Sequence, residues 1–478
     1  MSLFAVKPLD LILADSEHES LKRSLTASQL VALGIGAIIG AGLFSLTGLA
    51  AAQNAGPAVV LSFALAAVGC AFAGLCYSEF ATMIPIAGSA YTYSYATMGE
   101  LMAWIIGWDL VLEYAVGGST VAVSWSGYVV SFLKDFGIDF PAQLAASPFE
   151  PVTLPGSTVV LQGIVNLPAL FIVVLVSGIL IIGIQESARV NTVIVVLKVS
   201  VAVLFIILGW SYINQGNYKP FVPPNTGEFG HFGWSGVLRG AGKVFFAFIG
   251  FDAVSTAAQE AKKPQRDMPI GIVGSLAVCT VLYIVFSHVL TGIVSYKDLN
   301  VSAPVAVAID QTAYTWLRPA VKFAIILGFT SVILVLLLGQ SRVFFSMSRD
   351  RLLPKVFSDI HPRFRTPWRA NLLFMVFTGL FAAFAPLSAL GDMTSIGTLF
   401  AFVLVCIAIM VMRRTHPERH RPFRTPWVPL TPILGIAFNL FLMYGLGLSN
   451  WLRLFGWMAI GLVVYFTYSR KHAVTRGS

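Results

Sequence analysis

Lys198 is a charge placed where water is scarce. It stands in NTVIVVLKVS, about eight residues after Asn191 and about twelve before Trp210 in an otherwise apolar run. At 1.5 Å of rise per residue this is deep for a lysine that only stretches its stem to the surface. Intramembrane charges are costly and mark functional sites by default. An ammonium held away from water can lose and regain a proton, so Lys198 is a candidate proton carrier, with a permanently charged structural lysine as the plainer reading. Glu113, in WDLVLEYAVGG, needs a partner or a proton for the same reason. It is suited to lining a pocket, to carrying a proton or to pairing with a cationic ligand, and a merely structural hydrogen-bonding Glu competes equally. Asp109, one turn earlier, shares its face. Glu79 reads as an interfacial structural residue, and Asp252 with the following EAKKPQRDMP as a set of ion pairs organising one end of a helix.

A second kind of chemistry lies in the backbone. GIGAIIGAGLF (34–44) and GAGKVFFAFIGFD (240–252) each carry glycines midway through an apolar stretch. Where a helix is interrupted, amides are left without acceptors on one side and carbonyls without donors on the other. That pair of poles suits a zwitterion. Amides near Gly40, Ala41 and Gly42, at the positive end of the following half-helix, are placed to hold a carboxylate. Carbonyls of Ile38, Phe246, Ala247 and Ile249 are placed to accept from an ammonium. Phe246, beside the second interruption, is a candidate aromatic lid, although core packing explains a phenylalanine as well. Phe329 is a candidate for limiting the room left for a ligand side chain.

The elements that must position these groups follow from composition. Of 478 residues 57% are hydrophobic and only 11% charged, with a mean hydropathy of +0.81, against about 25% charged in soluble domains. Apolar runs long enough to cross the hydrocarbon as helices recur along the chain. They lie near 25–50, 57–80, 101–133, 167–184, 190–210, 235–258, 268–294, 321–345, 371–387, 393–412, 428–448 and 451–468. The expected fold is therefore an all-α polytopic membrane protein of about twelve spans in one domain. The polar stretches at 135–166 and 212–233 read as Pro- and Gly-rich loops. Of 31 Lys and Arg, 22 fall with the N-tail, the even-to-odd loops and the C-tail, 6 fall on the opposite side, and Lys198, Arg239 and Lys243 lie within spans. Both termini are thus expected in the cytoplasm. Topology accounts for the net charge of +9, and nucleic acid need not be invoked. The basic stretch from Arg342 to Arg369 satisfies the same rule, with anionic lipid heads as a further ligand to consider. The first residues lack the pattern of a cleaved leader and read as a short soluble tail. Cys70, Cys76, Cys279 and Cys406 lie within apolar runs without metal-binding spacing and read as inert thiols.

The two interrupted spans, the first and the sixth, stand five apart. Five crossings are an odd number, so a second copy of such a unit is inverted. The expected organisation is a tail (1–24), repeat one (25–210), repeat two (235–412), two appended helices (428–468) and a tail (469–478).

IIGAGLF, FFAFIGFD, EAKKPQRDMP, the Lys in NTVIVVLKVS and GQSRVFFSMSRDRLLP together resemble signatures of the amino acid-polyamine-organocation superfamily. Within it they are similar to the cationic amino acid transporter branch and its bacterial homologues. The resemblance implies the LeuT-like inverted five-plus-five fold with discontinuous helices 1 and 6, alternating access, and main-chain binding of the α-amino and α-carboxyl groups. In related folds a sodium ion joins the first helix to the eighth. The resemblance implies that the Lys198 ammonium takes that place, with Thr330 and Ser331 as hydroxyl partners, so that transport couples to protons without sodium or another cofactor. Symport of small neutral L-amino acids into a bacterium across its inner membrane is the expected function, because Phe329 would leave little room. A transporter of arginine or lysine, an exchanger and an amino acid sensor are the alternatives. A small single-span membrane partner and self-association both stay open. An enzyme is disfavoured, since the seven His are scattered and no HExxH is present, and an ATP-driven pump because nothing resembles a nucleotide-binding loop. A channel is disfavoured because two unlike broken helices in one chain suit an occluding site.

Overall fold

Residues that bury a backbone in hydrocarbon must satisfy it internally, and this chain does so with helices. The computed structural model describes residues 5–7, 25–84, 89–153, 160–183, 188–256 and 261–473. Most of the N-tail, Glu260 of the EAKKPQRDMP segment and the last five residues lie outside that set.

The helices are α1 (Ala27–Ile38), α2 (42–55), α3 (Val59–Met83), α4 (Ser89–Thr97), α5 (Glu100–Asp135), α6 (Leu167–Ile182) and α7 (Ala188–Gly209). They continue with α8 (Gly233–Val244), α9 (Pro264–Ile293), α10 (Leu317–Arg349), α11 (Trp368–Phe384), α12 (Leu387–Thr415), α13 (Leu430–Gly445) and α14 (Leu448–Val464). Among the described residues seven helical stretches are long and apolar enough to cross a membrane, and α1, α6, α11 and α13 are shorter apolar helices. Gly56, at φ +60°, turns the chain between α2 and α3, and Pro223 occupies the space a side chain there would need.

The helices pack around a large apolar core. α9 packs on α3 and α1, α5 on α10, and α12 on α13. In α5 and α12 78% of the most apolar window is buried, against 22% around α14, so the former are central and the latter peripheral. The periphery exposes Val193, Ile207, Leu452 and Val463, each more than half accessible. The interior instead holds Glu79, Asp109, Glu113, Lys198 and Lys243, all nearly inaccessible. Exposed apolar side chains outside, with a few buried charges set within an apolar core, fit a protein surrounded by lipid. This is a polytopic helical membrane protein.

Three local features depart from the sequence reading. The loop at 135–166 contains a small antiparallel hairpin, β1 (Pro151–Thr153) with β2 (Val160–Gln162), paired Pro151 to Gln162. Three-residue strands leave no periodic signal. α4, SAYTYSYAT, escapes a hydropathy scan because it is polar and aromatic. Residues 5–7 are tied down: Lys7 N–H donates to Tyr95 O at 3.2 Å and the Lys7 ammonium meets Asp350 at 3.1 Å. All four cysteines are buried and free of disulfides.

Candidate functional site

The first interruption falls where the glycines put it. α1 ends at Ile38, Ile39 takes an extended backbone at ψ 109°, and the last α-helical bond runs from Ile39 N to Ile35 O at 2.9 Å. The chain restarts as a wide π-type turn at Gly42–Leu46. Amides at the start of a helix have no partner inside it, so the Gly40 to Gly42 region presents donors while the end of α1 presents acceptors. The second interruption is more elaborate. α8 tightens into a 3₁₀ turn over Phe245–Phe248, Ile249 is extended at ψ 134°, and Gly250 adopts φ +115° before a helical turn at Ala253–Thr256.

The two interruptions touch. A Cβ on Gly42 would collide with the Cα of Ala247, and one on Gly250 would lie 2.7 Å from Ala37 O. Each break thus owes its close approach to a glycine in the other's path. Tyr283, from the middle of α9, joins them from a third direction. Its hydroxyl is 3.0 Å from Ile38 O and 2.9 Å from Ala247 O, sharing one proton between two of the carbonyls expected to receive an ammonium. Each carbonyl has a second lone pair, so the tyrosine positions these acceptors without exhausting them. Phe246 O accepts the Ile249 amide at 3.2 Å. Tyr283 was not singled out from the sequence; a tyrosine inside an apolar run was the available signal.

Lys198, 2% accessible, extends from α7 to the same place. Its ammonium donates to Gly36 O at 2.5 Å and Ile39 O at 3.1 Å, the carbonyls left over where α1 stops. Its stem lies against Gly328 of α10, where an added Cβ would sit 2.7 Å from the lysine Cδ. The lysine therefore spans from the break to α10. Ser331 donates to Gly328 O at 3.0 Å, while Thr330 accepts from Trp125 Nε1 at 3.0 Å and donates to Ile326 O. Phe329 is fully buried, edge-on to Tyr128 at 5.5 Å and 6.2 Å from Phe44 of α2. Phe246, Ala247 and Ile249 are all buried.

Glu113 occupies a π-type widening, Leu112–Val116, in the middle of α5, an irregularity frequent at functional positions. Its side chain lies buried near Asp252, Thr398 and Asp109. Asp252, read from the sequence as part of an ion-pair set with the following segment, is 4% accessible. It folds inward because the second interruption turns it onto α5. Both oxygens of Asp109 lack a hydrogen-bond partner among the described residues. Glu79, near the end of α3, is buried against the protein. It pairs with Arg413 at 2.7 Å and Arg421 at 3.3 Å and accepts the Thr425 amide at 2.8 Å, pinning the segment after α12 to α3.

A second buried lysine escaped assignment from sequence. Lys243 of α8 donates to Gln53 of α2 at 2.8 Å and to Ser388 of α12 at 3.1 Å, with Asp392 at 4.0 Å. Asn450 of α14 donates to Asp392 at 3.2 Å. Its partners come from far along the chain, so no local spacing announces them.

The family model described as Amino acid permease matches residues 25–469. The chain belongs to this family. The permease is 46% identical over 474 residues to the "Branched-chain amino acid permease BcaP" of Bacillus subtilis (strain 168), spanning 99% of this chain and 98% of the relative. It is 45% identical over 473 residues to the "Methylthioribose transporter" of the same organism, spanning 99% of each. It is 37% identical over 414 residues to "Cationic amino acid transporter 4, vacuolar" of Arabidopsis thaliana, spanning 86% of this chain and 67% of the relative. The permease is therefore a multi-pass transporter of the amino acid permease family, and not an enzyme.

Proposed function

We propose that this permease is a proton-coupled symporter of small neutral L-amino acids, aliphatic ones included, working by alternating access across a bacterial inner membrane with both termini in the cytoplasm. The observation that carries the proposal is the crossing of the two interruptions at Gly42 and Ala247, held by Tyr283. Amides of the 40–42 region take the substrate carboxylate, and carbonyls of Ile38, Phe246, Ala247 and Ile249 take its ammonium. α1 with α2, and α8 with the turn at 253–256, are then the discontinuous first and sixth of twelve spans in an inverted five-plus-five repeat followed by α13 and α14.

Coupling to protons rather than sodium is supported by Lys198, whose ammonium already holds the Gly36 and Ile39 carbonyls that a cation would use. Thr330 and Ser331 lie on α10 within a turn of Gly328, which the lysine stem touches, and are its hydroxyl partners in this reading, with Glu113 as the second proton carrier. A neutral side chain is favoured because Phe329 is fully buried beside the first interruption, and because the BcaP relatives are named for branched-chain amino acids. The methylthioribose relative supports one second reading, an uncharged thioether sugar as ligand.

The test is uptake by the purified permease in sodium-free proteoliposomes. An inward proton gradient should drive labelled leucine or alanine above equilibrium, a protonophore should abolish this, and unlabelled methylthioribose should compete only under the second reading. Accumulation that requires sodium, or that ignores the gradient, would overturn the proposal.

A further inference from the structure

α10 ends at Arg349, and the chain doubles back through the short turn Lys355–Phe357. Beneath α14 the final helical turn, Arg470–His472, closes over this bend. Between them lies a cavity of about 670 Å³ whose lining includes Arg349, Arg351, Lys355 and Lys471 and no carboxylate. Four cations converge on one space. The acids next to them in sequence are turned elsewhere: Asp350 binds Lys7 at 3.1 Å and the Tyr91 hydroxyl at 2.7 Å, and Asp359 pairs with Arg369. Among the described residues none of the four cations has an ion pair or a hydrogen-bonded side-chain partner. Ser358 offers a hydroxyl at the wall. His472 spends Nδ1 on Tyr468 O at 2.9 Å, which leaves Nε2 for a ligand.

The excess of positive charge on cytoplasmic loops explains why cations occur on this side. It does not explain why four of them, each exposed to solvent, line one concave site without a counter-charge, which makes that site attractive to an anion. We propose that this cavity binds an anionic phosphate group, presented by a phospholipid of the facing leaflet or carried by a soluble phosphate. The lipid is the favoured source. The outer face of α14 exposes Ile460, Val463 and Phe466 leading up to the cavity, so acyl chains lying along that face would deliver a headgroup to it. Occupancy would tie the C-terminal turn to the end of α10.

The test compares the purified full-length permease with the triple variant Arg349→Gln, Arg351→Gln, Lys471→Gln, and with a control triple of exposed cations outside the cavity, Arg363→Gln, Arg414→Gln, Arg424→Gln. Each is titrated in detergent with phosphatidylglycerol, with phosphatidylcholine and with inorganic phosphate, and binding is read by native mass spectrometry and by the shift in thermal unfolding. The parent should bind phosphatidylglycerol and ignore phosphatidylcholine. The cavity triple should weaken this binding about a hundredfold, while the control triple should leave it within a few-fold. If inorganic phosphate binds the parent and displaces the lipid with the same dependence on the cavity cations, the site stands and its ligand can be soluble. Equal weakening by the two triples would reduce the effect to general surface charge and overturn the proposal. Binding of neither anion by a parent that still binds amino acid would overturn it as well.

Discussion

Lys198 does at residue scale what the permease as a whole requires, since it converts the loose end of α1 into a cation-occupied site. Its identity and depth were legible because a charge in an apolar run stands out without any knowledge of partners. Tyr283 and Asp252 were not legible, since their roles depend on contacts 245 and 139 residues distant along the chain, to Ile38 and Glu113. Replacing Lys198 with Met removes the ammonium but keeps the length of the stem beside Gly328. The variant should fold, bind amino acid and fail to accumulate it under a proton gradient, as read by thermal shift and liposome uptake side by side. Accumulation equal to the parent would remove Lys198 from the coupling step. Gly250→Ala probes the backbone. At φ +115° an alanine is strained by about 1–3 kcal/mol, and its Cβ would also press on Ala37 O. Substrate affinity should fall along with unfolding temperature, whereas Gly178→Ala, in open surroundings on α6, should change neither.

At the scale of elements, the interruptions were legible as glycines inside two apolar runs, and the structure puts the breaks at Ile39 and at Ile249–Gly250. What pins the helices around them was not, because the pins are long-range pairs between single polar residues. Glu79 holds the segment after α12 through Arg413, Arg421 and the Thr425 amide. Glu79→Ala would leave two guanidinium groups without their buried counter-charge, a loss of about 3–5 kcal/mol for a broken buried pair. The variant should show the lowest unfolding temperature of those described here, with amino acid affinity retained in the fraction that folds. The Lys243 cluster links α2, α8, α12 and α14 at the opposite ends of the helices. The half before the second interruption is therefore anchored to α12 through Lys243.

For the whole molecule, hydropathy alone conveyed the helical membrane architecture, since an apolar exterior must be written into composition. The small hairpin at 151–162 and α4 stayed hidden because neither is long or apolar. Orientation was read from the distribution of Lys and Arg, and it predicts that single cysteines introduced at Ser2 and Ser478 react with a membrane-impermeant thiol reagent in inside-out vesicles but not in intact cells. The four native thiols are buried and should contribute little background. Labelling in intact cells would reverse the assignment of every loop, and with it the leaflet that faces the basic cavity.

The account rests on main-chain groups of two interrupted helices gripping both ends of a free amino acid. Calorimetric titration of the purified permease with L-leucine, with its decarboxylated amine and with its deaminated acid separates the two poles directly. Loss of either pole should weaken binding by at least about tenfold, the equivalent of one charge-assisted hydrogen bond of about 1.5–3 kcal/mol. Equal affinity for all three ligands would place recognition in the side-chain pocket and contradict the account.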